Sequence, residues 1–328
     1  MNIYSFKNFA FYHIFRVLKM TRIRIGYCGP PEKWDRMKWN DFINYAKDKN
    51  VDLVWIDLDK PIEEQGEFRL IIQKMTYIMQ GHDMTVNPQL HRLYNYSKTH
   101  PEVRFIDDFD AVAVTMDREE LNAALESISW PDSCKVNVPQ AKLLLNSDAH
   151  SINDAIKNLH FPLLAKPKGA ASSTAAHLMK LATKPEQLVG VPTPTMLQEY
   201  INHDGVVYKI YALGDIIEVG ARPSSRNIED GECVDIDFDS QKMTEKNGFW
   251  TEQRDLSNVE IPLDDFKTMS AILRKAMKME LIGFDILIDS QKRYWIVDLN
   301  YFPGYKNIQN LWEKFLNFFM KEIGEPTQ

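Results

Sequence analysis

From residue 22 onward, short apolar runs alternate with stretches whose apolar residues recur every three or four positions. RIRIGY reads as a strand, the segment through Trp39 to Lys49 as a helix, and VDLVWIDL as a buried strand on Val51, Leu53, Val54 and Ile56. FRLIIQKM and VRFID add two strand candidates, with a polar helix near residues 89–98 between them. Such alternation predicts an open, largely parallel sheet that ends near residue 115.

The pattern then changes. DREELNAALESI, 117–128, has a capping acid, acids in its first turn and an apolar stripe, so it predicts a helix that enters a second lobe. SDAHSINDAIKNLH offers another capped helix, while FPLLAKPK, HLMKLAT and TMLQEYI read as strands. This lobe is α+β. VVYKIYALGDIIEVGARPS reads as a hairpin about Leu213-Gly214-Asp215. Residues 226–260 predict a long irregular loop, open to two readings, a lid or a surface insertion. Residues 264–279 have apolar positions at 266, 269, 272, 273 and 277, close to the helical period. The expected division is an extension over 1–21, an α/β domain over 22–116, a central domain over 117–212 and a C-terminal domain over 213–328.

GFDILIDSQKRYWIVDLN predicts the last hairpin, and here the polar residues inside the strands raise a question. With Ser290 to Arg293 as a four-residue loop, Asp289 faces Tyr294, and counting outward sets Asp285 opposite Asp298. Period-two alternation then puts Asn300 on the face of Asp298. Like charges at cross-strand separation destabilise a sheet unless something intervenes. A magnesium ion, which takes hard oxygen ligands and leaves other positions to water and phosphate, would do so. From spacing alone the commoner reading is that both acids lie on the solvent face of an edge hairpin, or that one of them is protonated or bonded to a lysine.

The 328 residues, 44% hydrophobic and 26% charged, can bury a large core in two or three lobes. The net charge of -7 excludes a surface that grips nucleic acid or an anionic membrane as a whole; a polyanionic ligand needs a local basic cluster. Cys28, Cys134 and Cys233 form no CxxC, so neither a disulfide framework nor a zinc site is expected, and a reducing cytoplasm suits the chain. No apolar run reaches the ~18–20 residues of a spanning helix. The first twenty residues, rich in Phe and Tyr with Lys7, Arg16 and Lys19 and no acid, read as an extension on the first lobe, upstream sequence before Met20, or an interfacial or targeting segment.

At IVDLNYFPGY the Asp298-x-Asn300 pair followed by Phe302-Pro303-Gly304-Tyr305 resembles the metal-binding end of the inositol 1,3,4-trisphosphate 5/6-kinases, which have the ATP-grasp fold. DKPIEEQGEFRLIIQKM at 59–75, QEYINHDGVVYKIYALG at 198–214 and ARPS at 221–224 resemble the same family in the same order. The resemblance covers most of residues 22–310. It implies three lobes, α/β and α+β, with ATP between two antiparallel sheets and an inositol polyphosphate at the opening beside the N-terminal lobe.

By the same resemblance Asp285, Asp298 and Asn300 are the magnesium ligands, for a pair of ions. Arg118, Lys166, Lys209 and Ser224 match nucleotide contacts, and Gln198, Glu199, Tyr200 and Ile201 would run beside adenine. Arg222 is placed to reach the γ-phosphate, a task for which its planar fork is suited. Lys33, Lys74, His177, Lys209, Asn300 and Gly304 match inositol-site positions. The chain departs from the family at KGAASSTAAH, where a His-Gly-Thr element is missing; Lys168 or Ser172 is expected to compensate. The implied activity is an ATP- and magnesium-dependent kinase acting on a hydroxyl of an inositol trisphosphate or tetrakisphosphate, with Lys209, Arg222 and Asp298 at the reacting centre. A monomer is expected, with no stable membrane association. Two rivals stay open: an ATP-grasp carboxylate–amine ligase, and a nucleotide-binding scaffold without turnover.

Overall fold

A computed structural model describes residues 22–132, 134–170, 174–240, 249, 255–306 and 308–326. The extension over 1–21 and Ser172 lie outside the described residues, as does part of the expected loop over 226–260.

Three sheets organise the chain. The N-terminal sheet joins β1 (Ile23–Cys28), β2 (Val51–Trp55), β3 (Leu70–Gln73) and β4 (Arg104–Ile106) in the order β2-β1-β3-β4, all parallel. Its helices are α1 (Pro31–Met37), α2 (Trp39–Ala46), α3 (Pro88–Thr99) and α4 (Phe109–Val114). Helix α5 (Arg118–Glu126) follows, its first turn capped by the Asp117 carboxylate accepting from Glu119 and Glu120 N–H. The helix expected over Trp39 to Lys49 is α2 followed by a 3-10 turn at Lys47–Lys49, and Lys38, in a left-handed conformation, separates it from α1.

The short strand β5 (Val136–Asn137) precedes β6 (Ala141–Leu144), α6 (Ala149–Ala155), β7 (Leu163–Pro167), β8 (Leu178–Ala182) and β9 (Thr195–Glu199). Next come β10 (Val206–Leu213), β11 (Ile216–Pro223), β12 (Asp235–Asp239), α7 (Leu263–Met277), β13 (Leu281–Ile288), β14 (Tyr294–Tyr301) and α8 (Leu311–Glu322). The central sheet runs β12-β8-β7-β9-β6 and the C-terminal sheet β11-β10-β13-β14-β5. Both are antiparallel except where β5 joins β14.

Two expectations change. Residues 235–239 lie in the segment read as irregular, yet they pair with β8 at the edge of the central sheet. The boundary set between 212 and 213 falls inside the β10–β11 hairpin, both strands of which belong to the C-terminal sheet. That hairpin turns at Gly214, whose φ of +55° suits glycine, and an added Cβ would stand 2.9 Å from the Phe318 ring.

The core is distributed unevenly. One continuous cluster runs from the N-terminal sheet through the C-terminal sheet, whereas the central sheet has two small cores of its own. The large cluster is closed by α8 against α2: Trp39 meets Phe315 at 5.1 Å and Phe42 meets Phe319 at 5.7 Å between ring centroids, both edge to face. Aromatic pairs of this geometry contribute ~0.5–1.5 kcal/mol each beyond their burial.

Candidate functional site

The acidic hairpin is β13 and β14, and its register sets Asp285 opposite Asp298. The route to that register differs from the sequence count. Ile288, not Asp289, pairs with Tyr294, so the loop is one residue longer, and a bulge at Val297 absorbs the offset before Asp285. Asn300 stays on the face of Asp298 and donates its Nδ2 to Asp298 Oδ2 at 2.6 Å. On the other side of β13, Lys209 pairs directly with Asp285 across β10, and its ammonium donates to Asp285 Oδ2. Arg222, two residues beyond the partner of Lys209 on β11, shares that face and donates to the Tyr211 hydroxyl at 3.2 Å.

The central sheet faces this row. On β7, Lys166 reaches its ammonium to Gln198 Oε1 on the neighbouring strand and to the Val297 carbonyl at the bulge, 3.4 Å away. Arg118, the first residue of α5, donates to the carbonyls of Pro167, Gly169 and Ala176 and so ties the helix to the turn after β7. A cleft between the sheets is lined by Arg118, Lys166, Gln198 and Asp298, with Leu121, Met196 and Ile296 among its apolar walls. In this structure the cleft encloses only about 30 Å³, so a nucleotide would fit there only with the two sheets further apart.

The electrostatics follow from burial. Desolvation pushes the Asp285 carboxyl up; the Lys209 ammonium pulls it down and the charge of Asp298 adds to the rise. Burial lowers Lys166 to about 8, with Asp298 opposing, and it lowers the Arg118 guanidinium as well. Two carboxylates thus stand face to face, with Lys209 reaching in from one side and Lys166 from the other. Among the described residues no three His, Cys, Asp or Glu side chains gather to cage a metal. The hairpin instead offers two carboxylates and an amide oxygen, a donor set that fits a magnesium ion completed by water and phosphate oxygens.

A second basic group stands at the end of β14. Lys74, after β3, donates to the Tyr301 carbonyl and lies over the rings of Tyr301 and Phe302, 4.8 and 6.0 Å from their centroids. Burial and the charge of Lys33 push it down to about 7. Lys33 itself is lowered by partial burial and by Arg36. Gly304 borders a groove with Arg36, Lys38 and Lys306.

Other expected residues take up other partners. The Glu199 carboxylate accepts from His160, at 2.8 Å from both its N–H and its Nδ1. The Tyr200 hydroxyl lies 2.6 Å from both Ser225 Oγ and the Arg226 carbonyl, and burial pushes its pKa to about 12. Ser224 Oγ is 2.9 Å from His203 Nε2. Lys168 pairs with Glu119 at 2.8 Å and Asp117 at 3.4 Å. His177, just before β8, accepts at its carbonyl from Ser240 N–H at 2.9 Å. Val297, whose carbonyl meets Lys166, was not singled out from the sequence; it is brought there by the bulge, which has no local signature in the string.

Comparison with known proteins gives the following. A family model described as the inositol 1,3,4-trisphosphate 5/6-kinase ATP-grasp domain matches residues 131–321, and the pre-ATP-grasp domain of the same family matches residues 24–112. An inositol-tetrakisphosphate 1-kinase of Xenopus laevis is 28% identical over 318 residues, covering 93% of this chain and 80% of that protein. Inositol-tetrakisphosphate 1-kinase 1 of Arabidopsis thaliana is 29% identical over 312 residues, covering 91% and 95%. Among solved structures, the ATP-grasp ligase PsnB superposes with a TM-score of 0.54 at 11% identity, over 89% of this chain and 94% of that one. An ADP complex of N5-carboxyaminoimidazole ribonucleotide synthetase gives 0.53 at 12% identity, over 94% and 80%. At such identity the structural likeness establishes the fold alone, and that fold is ATP-grasp.

Proposed function

The chain belongs to the inositol 1,3,4-trisphosphate 5/6-kinase family and is an ATP-grasp kinase of inositol phosphates; on that premise we propose how its residues divide the work. ATP lies in the cleft between the central and C-terminal sheets. The N–H groups of Glu199 and Tyr200 are spent on the carbonyls of Gln140 and Pro162, which leaves the N–H of Ile201 as the donor for the purine edge. Lys166 and Arg118 face the phosphates from the central side, Lys209 and Arg222 from the other. Asp285, Asp298 and Asn300 hold magnesium, which supplies positive charge against the phosphate oxygens when bound. Lys33 and Lys74 receive the phosphates of the inositol at the mouth.

Phosphoryl transfer asks chiefly for alignment and offset of negative charge, so a row of fixed cations around one acidic hairpin suffices. The observation that carries the reading is the cross-strand Asp285–Asp298 pair facing Lys166 and flanked by Lys209. The test is incubation with Mg-ATP and a panel of inositol tris- and tetrakisphosphates, with products resolved by isomer. Transfer to one or more of them is expected; consumption of none would sink the assignment.

Lys74 gives a pH-dependent prediction. A lysine held down to about 7 loses its charge as pH rises through 7, and a bound phosphate restores it. At pH 8, binding of inositol trisphosphate is therefore expected to take up close to one proton more in the wild type than in Lys74→Met. Titration calorimetry in buffers of different ionisation enthalpy reads that difference; equal proton uptake in both proteins would show that Lys74 does not meet the phosphate.

A further inference from the structure

The open end of the acidic hairpin is fastened to the N-terminal sheet through one buried carboxylate. Asp107 follows β4 and is 2% exposed. Its Oδ1 accepts from Glu280 N–H at 2.8 Å and its Oδ2 from Leu281 N–H at 2.9 Å, where β13 begins. Its own N–H donates to the Tyr301 hydroxyl at 3.1 Å, where β14 ends. That hydroxyl stands against the carbonyls of Gln73 and Ile106, at the ends of β3 and β4. Gln73 completes the junction, its Nε2 donating to the Asp107 carbonyl at 3.2 Å.

Both strands that carry the acidic row are thus held at the same end and by the same neighbours. Tyr301 adjoins Asn300, and Leu281 lies four residues from Asp285, about 13 Å along a strand. Lys74 is tied to the same place through the Tyr301 carbonyl. A carboxylate is an expensive way to fill a core, since burial of its charge is unfavourable and an apolar side chain would fill the space more cheaply. What it adds is direction: two acceptors fix the successive N–H groups of Glu280 and Leu281, at the entry to β13, against the end of β4. Glu280, Arg104, Tyr301 and Tyr305 are the titratable groups that face it.

We infer that Asp107 is a positioning residue, which holds the start of β13 so that Asp285, Asp298 and Asn300 stand at a set distance from Lys33 and Lys74. The inference rests on the reading of the hairpin as the magnesium site. The test uses the full chain with Asp107→Asn, and with Tyr301→Phe as a second variant that removes the hydroxyl and leaves the carboxylate. Turnover per active site, half-saturating magnesium, KM for ATP and melting temperature are measured, active sites being counted with a tight ATP analogue.

An asparagine turns one of the two acceptors into a donor facing an N–H. Turnover is then expected to fall 10–100-fold and half-saturating magnesium to rise at least 5-fold, with KM for ATP within 3-fold of wild type. Unchanged turnover per site and unchanged magnesium dependence, with only a lower melting temperature, would reduce Asp107 to a structural anchor and overturn the inference. If Asp107→Asn does not fold, Tyr301→Phe decides by the same two readouts. If the wild type phosphorylates no inositol phosphate, the kinase reading fails by itself, while magnesium-dependent binding of a fluorescent ATP analogue still compares the variants.

Discussion

Replacing Asp298 by Asn is expected to lower phosphoryl transfer on the order of 10²–10³-fold, the usual cost of losing one fixed charge-stabilising group at a reacting centre. The substitution keeps the shape and one oxygen but removes a charge. Stability should change little, because the loss relieves a repulsion that raises Asp285 but also withdraws the negative charge that supports the buried Lys166 and Arg118. The combination is therefore specific: activity lost, half-saturating magnesium raised, melting temperature nearly unchanged. A kinetic and thermal comparison with the wild type checks all three. Activity retained within a few-fold would remove Asp298 from the centre of the reaction.

Lys166→Met should separate activity from stability more sharply. The ammonium is buried between Gln198 and the Val297 carbonyl, and its pKa is held down to about 8. Below pH 8 the folded protein keeps this group charged at a cost that the unfolded chain does not bear. A downward shift of that size corresponds to about 3 kcal/mol, at ~1.4 kcal/mol per unit. The lost hydrogen bond to Gln198 offsets part of it, so a gain on the order of 1–2 kcal/mol is expected at pH 7. The gain should fade as pH rises from 8 toward 10.5, where the wild type folds with a neutral lysine. Phosphoryl transfer should meanwhile fall on the order of 10²-fold or more, since one fixed charge against the phosphates is gone. Denaturant titration at pH 7 and pH 10, with kinetics at pH 7, reads both effects; a variant both less stable and fully active would contradict the role given to the lysine.

Much of the acidic centre was legible because a strand has a period of two. Asp285, Asp298 and Asn300 could be set on one face by counting from a turn, and two errors in that count cancelled: the loop is one residue longer and the bulge at Val297 takes up the difference. Lys209 beside Asp285 required knowing that β10 lies next to β13, a long-range pairing that no local pattern announces. The β12 edge strand was missed for a related reason, since DIDFD alternates acids with apolar residues and reads as polar until its partner β8 is known. Helix α8 is a different case. Trp312, Phe315, Leu316 and Phe319 have plain helical spacing, so this helix has a local signal in the sequence itself. Asp107 could not be told from any acid at the end of a strand; its role comes from what packs on it.

The continuity of the large core across two of the three sheets decides which part of the molecule can move. The first and last sheets, joined by α2 and α8, form one packed body, and the central sheet with its separate cores is the part whose displacement would admit nucleotide. The pivot for such a displacement would be the stretch between β9 and β10, where Asp204 and Gly205 take left-handed backbone angles. Opening by such a pivot would draw Lys166 away while α5, whose Leu121 and Leu125 belong to the large core, stays with the acidic row and Lys74, so the Arg118 bonds to the Pro167, Gly169 and Ala176 carbonyls would be the ones to break.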